Sequence, residues 1–176
     1  MTERIPIKTT NLDRYGHDAM PWSRPRDLLA ASATADLSFF LGTVRPDGRP
    51  HAAAVGALWH DGLLYFTSGL HARKARNLAT NPACTISIKL KGIDLVLEGE
   101  ASRVTDRQAL EAVARLYREG GWPAQVEGDA FTAPYSAPSA GPPPWYLYRF
   151  TIHTAFGSPQ LSRTVRHAGD SFEAMR

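Results

Sequence analysis

The fold of this chain is decided by residues 64–82, which read LYFTSGLHARKARNLATNP. Residues 64–67 are apolar, aromatic or β-branched, and this composition predicts a β-strand. Gly69 interrupts the run and favours a turn. The next segment, residues 72–80, suits a short helix that Pro82 would end. The pattern therefore predicts a strand that leads through a turn into a basic helix.

The N-terminus of this helix is a candidate phosphate site. A helix N-terminus exposes unpaired N–H groups and the positive end of the helix dipole, and both attract anions. Arg73, Lys74 and Arg76 add positive charge there, and the hydroxyls of Thr67 and Ser68 add donors at the end of the strand. Three basic residues on a surface helix are also typical of a solvated face, so the stretch alone leaves both interpretations open.

The chain before this stretch predicts two further strands and a helix. Residues 23–31 suit a short helix, and residues 37–45 suit a strand. The Pro46-Asp47-Gly48 turn leads into a second strand, residues 49–60. Asp61-Gly62 then predicts a hairpin to the strand that precedes the basic helix. These three strands form a meander.

Small side chains cover almost the whole second strand. Its backbone is open to close approach, because it carries little more than methyl groups around Val55. A flat ring lying on the strand would need that shape, and so would tight sheet packing or a subunit contact. The small residues are Ala52, Ala53, Ala54, Gly56 and Ala57.

Three more strands and a third helix are predicted after Pro82. Alternating apolar residues predict strands at 84–90 and 93–104, and an aromatic run predicts a sixth strand at 145–156. Thr105 and Gln108 have capping-box spacing, which predicts that a helix begins there and runs to the glycine pair at 120–121.

The segment 121–144 contains six prolines and three glycines. Such a segment is either a linker or a functional loop. Its aromatic residues favour a loop that packs over a site or onto a partner subunit, and they are Trp122, Phe131 and Tyr135.

Together these elements predict a mainly β protein, a six-stranded antiparallel barrel with two or three appended helices. Closing the sheet would hide its edges. We expect one domain over residues 1–176, with an N-terminal arm at 1–22, the Pro/Gly-rich loop at 121–144 and a tail at 158–176 that lacks clear periodicity.

Composition excludes several classes of function. The 176 residues are 43% apolar and 21% charged, and the net charge is +3. No apolar run approaches the length of a membrane span, no signal peptide is apparent, and no basic stripe predicts nucleic-acid binding. We therefore expect a cytoplasmic protein that binds neither membrane nor nucleic acid. Cys84 suits a buried, inert thiol, and the six histidines lack metal-ligand spacing, so no metal site is predicted.

The order of these motifs resembles the pyridoxamine 5′-phosphate oxidase-like split β-barrel family, which includes FMN-binding and deazaflavin-dependent oxidoreductases. Three segments carry the resemblance, over about residues 25–157. They are GTVRPDGRPHAAAVGALWHDGLLYFTS, RKARNLATNPACTISI and GPPPWYLYRFTIHTAFG. The resemblance implies a six-stranded split barrel that forms a homodimer, with cofactor sites between the subunits.

The resemblance also implies cofactor-binding residues for FMN or coenzyme F-420. Thr67, Ser68, Arg73 and Lys74 would bind the cofactor phosphate, and Asn77 would brace the turn or reach the same group. The residues implied to lie along the isoalloxazine or deazaflavin ring are on the small-residue strand, and they include His51, Ala53 and Val55.

The implied function is an oxidoreductase that transfers a hydride to or from a small organic substrate, with His51 as the histidine to test as a proton donor. The alternative is a non-catalytic protein that binds or senses a flavin, deazaflavin or haem. The tail carries Arg163, Arg166 and His167 in a polar context, where the pyridoxamine phosphate oxidases proper carry an Arg- and His-containing substrate motif. The resemblance therefore does not extend to oxidation of pyridoxamine phosphate.

Overall fold

The computed structural model of the protein describes residues 6–32, 37–135 and 141–159. Residues 6–22, within the predicted N-terminal arm, contain no helix or strand. The predicted tail lies outside the described residues from position 160 onward, and Arg163, Arg166 and His167 lie there as well.

The three helices of the described chain lie where the sequence predicts them. They are α1 at Ser23–Ala31, α2 at Arg73–Thr80 and α3 at Arg107–Glu119. The predicted capping box of α3 is wrong, because Asp106 is the N-cap and its carboxylate accepts a 2.7 Å hydrogen bond from the Ala109 N–H. Thr105 is one residue too early to make that bond, since a capping side chain binds the N–H two or three residues on.

Within the described residues, seven strands form one antiparallel sheet. Their order across the sheet is β2-β1-β5-β6-β9-β4-β3. The strands of the sheet are β1 (Phe39–Val44), β2 (Pro50–Val55), β3 (Ala57–His60), β4 (Leu63–Ser68), β5 (Ala83–Leu90), β6 (Ile93–Arg103) and β9 (Tyr146–Pro159).

The prediction of one unbroken strand over residues 49–60 is wrong, because the chain leaves the ladder at Gly56. β2 pairs with β1, whereas β3 pairs with β4 at the other end of the strand order. The first and last strands of the sheet are thus joined by one residue, so the sheet must curl round to bring its two ends together. This curl confirms the predicted mainly β split barrel with appended helices.

The concave side of the sheet encloses the main core. The alternating pattern of β5 and β6 buries every second side chain, as predicted, and Cys84 is one of the buried residues. Large, fully buried members of this core are Phe39, Leu41, Leu64, Phe66, Ile86, Ile93, Leu95, Leu97 and Phe150.

A second apolar cluster lies between α3 and the segment that follows it. The predicted loop at 121–144 contains a hairpin, which the sequence analysis did not predict, made of β7 (Gln125–Glu127) and β8 (Ala130–Thr132). Phe131 and Trp145 exchange two backbone hydrogen bonds of 2.7 and 2.9 Å, which join the hairpin to the start of β9. The members of the cluster include Leu110, Val113, Ala114, Tyr117, Phe131 and Leu147.

Candidate functional site

Helix α2 is fixed across the ends of β1 and β2 by a buried side-chain contact. The Asn77 amide donates a 2.9 Å hydrogen bond to the Thr43 hydroxyl oxygen. The Thr43 hydroxyl in turn donates to the backbone carbonyl of His51, at 3.4 Å. Asn77 and Thr43 are almost fully buried. The contact therefore places the N-terminal turn of α2 beside the start of β2.

The N-terminus of α2 has no side-chain cap and no acidic residue in its first turn. Ala72 is the N-cap residue, and the first backbone bond of the helix runs from the Arg76 N–H to the Ala72 carbonyl. The N–H groups of Arg73, Lys74 and Ala75 therefore precede the helical ladder. Unpaired N–H groups in this position bind anions readily.

Lys74 is a buried cation without a carboxylate partner. Its side chain is 7% exposed, and among the described residues it forms no ion pair or hydrogen bond. Burial lowers its pKa from the ordinary lysine value, because removal from water disfavours the charged form. An anion beside Lys74 would offset that cost.

Arg45, which directly follows β1, is a further basic residue of this site that was not predicted from the sequence. Its Nε atom is buried and has no hydrogen-bond partner among the described residues. Its charge contributes to lowering the pKa of His51, as do the charges of Arg73 and Lys74. The Thr43–Asn77 hydrogen bond holds the end of β1, which Arg45 follows, against α2, so three cations from two parts of the chain act on His51. A residue so far from α2 in sequence gives no local signal of this arrangement.

His51 faces this positive charge from β2. Desolvation is the largest cause of its lowered pKa, followed by Arg45, Arg73 and Lys74. Its Nδ1 atom lies 3.5 Å from the Thr43 hydroxyl oxygen. The lowered pKa means that a smaller fraction of His51 carries the proton at a given pH than for a histidine with an ordinary pKa.

The two predicted hydroxyl donors lie at the end of β4, where the chain turns toward α2. Ser68 is fully buried and its Oγ donates a 3.2 Å hydrogen bond to the Gly69 carbonyl. Thr67 is half-buried. Within the described part of the chain, neither hydroxyl forms a hydrogen bond with a basic side chain of α2.

The ring-binding residues implied by the resemblance share one face of β2. His51, Ala53 and Val55 are half-buried, whereas Ala52 and Ala54 between them are exposed. The partners of the first three on β1 are the buried residues Thr43, Leu41 and Phe39. This face of β2 therefore continues the inner surface of the barrel toward the positive cluster.

Metal-binding groups, membrane-spanning helices and the cysteine are three further features of the described residues. They contain no group of three or more His, Cys, Asp or Glu side chains that could hold a metal ion. No helix among them is long and apolar enough to cross a membrane. Burial raises the pKa of the Cys84 thiol to about 12, as expected of an inert cysteine.

A comparison with protein-family models identifies the family of this chain. The model described as pyridoxamine 5′-phosphate oxidase matches residues 20–159. The chain belongs to this family. The match contains all nine strands, the helices α1 to α3 and every residue of the candidate site. A search of the curated proteins finds no match.

Solved structures show the same fold as this member of the pyridoxamine 5′-phosphate oxidase family. A conserved hypothetical protein from Mycobacterium tuberculosis is 17% identical, with a TM-score of 0.59 over 89% of this chain and 90% of that one. An FAD-binding protein from Mesorhizobium loti is also 17% identical, with a TM-score of 0.53 over 78% and 94%. General Stress Protein 26 from Bacillus anthracis is 17% identical, with a TM-score of 0.52 over 78% and 96%.

Proposed function

We propose that the protein binds FMN or the deazaflavin coenzyme F-420 and works as an oxidoreductase on a small organic substrate. The observation that carries the proposal is the positive charge at the N-terminus of α2. Lys74 is buried without a carboxylate, Arg73 lies beside it, and the helix N-terminus has no cap. A phosphate is the anion that suits unpaired backbone N–H groups together with an ammonium and a guanidinium.

The inner face of β2 is the proposed seat of the cofactor ring. Ala53 has a minimal side chain, so a planar ring can approach the backbone there. Val55 and His51 would contact the ring on either side. The bound cofactor would exchange the hydride with the substrate, while these residues orient the ring and exclude water. The FAD-binding relative from Mesorhizobium loti supports a flavin-type ligand for this fold.

A bound phosphate would also change the pKa of His51. A dianion near Arg45, Arg73 and Lys74 would offset their effect on the imidazole, and the pKa of His51 would rise toward its ordinary value. His51 would then be available as a proton donor next to the ring. This coupling would make the proposed catalytic histidine active only when the cofactor is bound.

A non-catalytic flavin, deazaflavin or haem binding protein is the second candidate. The lowered pKa of His51 favours it, because a neutral imidazole is not a ready proton donor. Turnover separates the two candidates. A binding or sensing protein would bind the cofactor without accelerating its reduction or reoxidation by any substrate.

We also propose that the protein is a homodimer. Three large apolar side chains are exposed in one row across the outer face of the sheet. They are Phe40, Val96 and Phe156, with exposed fractions of 51%, 37% and 44%. The strand pairs that align them are Phe40–Ser87, Ser87–Val96 and Val96–Phe156. A row of exposed large apolar residues is typical of a protein interface. Light scattering should show a dimer, and Phe40→Asp with Val96→Asp should shift it to monomer; a monomeric parent would contradict the proposal.

Titration of the purified protein with FMN, FAD and coenzyme F-420 tests the proposed function. We expect at least one of FMN and coenzyme F-420 to bind with a Kd at or below about 1 μM, seen as a change in cofactor fluorescence or absorbance. Failure of both to bind in this range would contradict the proposal. A cofactor that binds should then be tested for reduction and reoxidation by candidate substrates, with free cofactor as the control.

A further inference from the structure

The turn between β1 and β2 contains two arginines and one carboxylate, and the carboxylate pairs with the arginine that is farther from β1. The Asp47 Oδ2 atom lies 2.6 Å from Nη2 and 3.0 Å from Nε of Arg49. The Arg49 backbone N–H donates to Oδ1 at 3.1 Å. Asp47 is thus bound by Arg49 through both carboxylate oxygens.

Arg45 is excluded from this ion pair. Its backbone closes the turn, since its N–H donates to the Arg49 carbonyl and its carbonyl accepts from the Gly48 N–H, both at 2.9 Å. The Arg45 charge also helps to lower the pKa of Asp47, although hydrogen bonds from Arg49 are the larger cause. Arg45 therefore belongs to the same tight turn as the carboxylate, and its buried Nε atom has no hydrogen-bond partner among the described residues.

We propose that Arg45 binds the cofactor phosphate together with Arg73 and Lys74, and that Arg49 is a positioning residue that holds Asp47 away from Arg45. The inference rests on the proposed function. If Asp47 turned to Arg45, its carboxylate would neutralise the guanidinium and repel the phosphate. The Asp47–Arg49 pair prevents this and leaves the Arg45 donors available to the anion.

Variants of the 176-residue chain test the inference by titration with the cofactor that the parent binds. Arg45→Ala should weaken binding roughly 10- to 100-fold, because a charge-assisted hydrogen bond to phosphate is lost. Arg49→Ala should weaken it by about 2- to 5-fold, because the exposed ion pair is weak and only part of the Asp47 population would turn to Arg45. Measurement at about 0.15 M salt limits long-range charge effects.

The decisive measurement for Arg49 is the effect of Arg49→Ala in a protein that also carries Asp47→Asn. In that background Arg49→Ala should have no effect on affinity, because no carboxylate remains to be held away. Equal weakening in both backgrounds would show that Arg49 contacts the ligand directly and would overturn its positioning role. Arg115→Ala, which removes an exposed arginine of α3 outside the basic cluster, is the matched control, and its affinity should equal that of the parent.

The role of Arg45 can fail separately from the proposed function. If Arg73→Ala and Lys74→Ala weaken binding but Arg45→Ala does not, the phosphate site stands and the role of Arg45 is refuted. If the parent binds no cofactor, the proposed function fails first. If Arg45→Ala does not fold, Arg45→Lys is the second variant, because it keeps the charge and loses the forked guanidinium donors. It should still weaken binding. Unchanged affinity in Arg45→Lys would refute the role of Arg45 in phosphate binding.

Discussion

Lys74 lies in an environment that is unfavourable for a cation, and a bound anion would explain why it is there. Ordinary lysines keep the ammonium in water, because a buried charge without a partner is costly. Lys74 is buried beside a helix N-terminus that also lacks an acceptor, so two unsatisfied positive groups reinforce each other. Both would be satisfied by one anion, and this makes a ligand site a better explanation than a solvated face.

The first prediction concerns the protonation of His51. Without ligand, its pKa should lie below the ordinary histidine value of 6.5, because desolvation and the three cations disfavour the charged form. Binding of a phosphate-bearing cofactor should raise this pKa. NMR titration of the imidazole protons measures both values, and the spectrum of the His51→Ala variant assigns the His51 signals.

The pH dependence of folding stability gives a second test of the lowered His51 pKa. The unfolded chain takes up the proton first as the pH falls, because the folded pKa is the lower of the two. The stability of the ligand-free protein should therefore decrease as the pH drops through about 6.5, and His51→Ala should reduce that dependence. A His51 pKa above 6.5 without ligand would contradict this account of the site.

At the scale of elements, the position of α2 depends on one buried hydrogen bond. Asn77 should be the residue of α2 that is most sensitive to loss of its polar group, because its amide donates to Thr43 in the core. Asn77→Ala should lower the free energy of unfolding by about 1–3 kcal/mol, measured by urea denaturation. Thr80→Ala, at an exposed position of the same helix, is the control and should change it by less than about 0.5 kcal/mol.

The Asn77→Ala variant also tests whether the packing of α2 affects cofactor binding. Losing the Asn77–Thr43 contact should let α2 shift against β1 and β2, so cofactor affinity should fall although Asn77 need not touch the ligand. Parent-like affinity and parent-like stability together would show that this contact does not position the helix.

Local patterns predicted most elements because their signals lie within each element. Helix α2 lies between Gly69 and Pro82, and α3 has an apolar stripe at helical spacing that the structure buries. The break at Gly56 had no such signal. The backbone there is not in the left-handed region, and a Cβ added to Gly56 would meet no atom within 4 Å. The curl of the whole sheet, which is a tertiary effect, ends the strand.

The candidate site was predictable only in part for the same reason. Arg73 and Lys74 follow from the helix N-terminus, which is a local feature. Arg45 joins the candidate site because the end of β1 contacts α2 through Thr43 and Asn77, and because Asp47 pairs with Arg49. Both facts depend on contacts between elements that are distant in sequence.

For the whole molecule, closure of the barrel depends on the long pairing of β6 with β9. The register shifts between Glu98 and Gly99, and a Cβ on Gly99 would collide with the Thr151 backbone carbonyl. Gly99→Ala should therefore destabilise the fold by about 1–3 kcal/mol through overpacking, measured by urea denaturation. Gly56→Ala is the control, since open space surrounds it, and equal losses in the two variants would contradict this view of the closure.

The most direct test of the central claim is the cofactor affinity of the Arg73→Ala/Lys74→Ala double variant. We predict that binding weakens by about 2–4 kcal/mol, because charge-assisted contacts to the phosphate are lost. The thermal midpoint without cofactor should stay the same or rise, since a buried unpaired charge is removed. Arg115→Ala, on the exposed face of α3, should bind like the parent. Equal affinity in the double variant and the parent would show that the basic turn of α2 is only a solvated face.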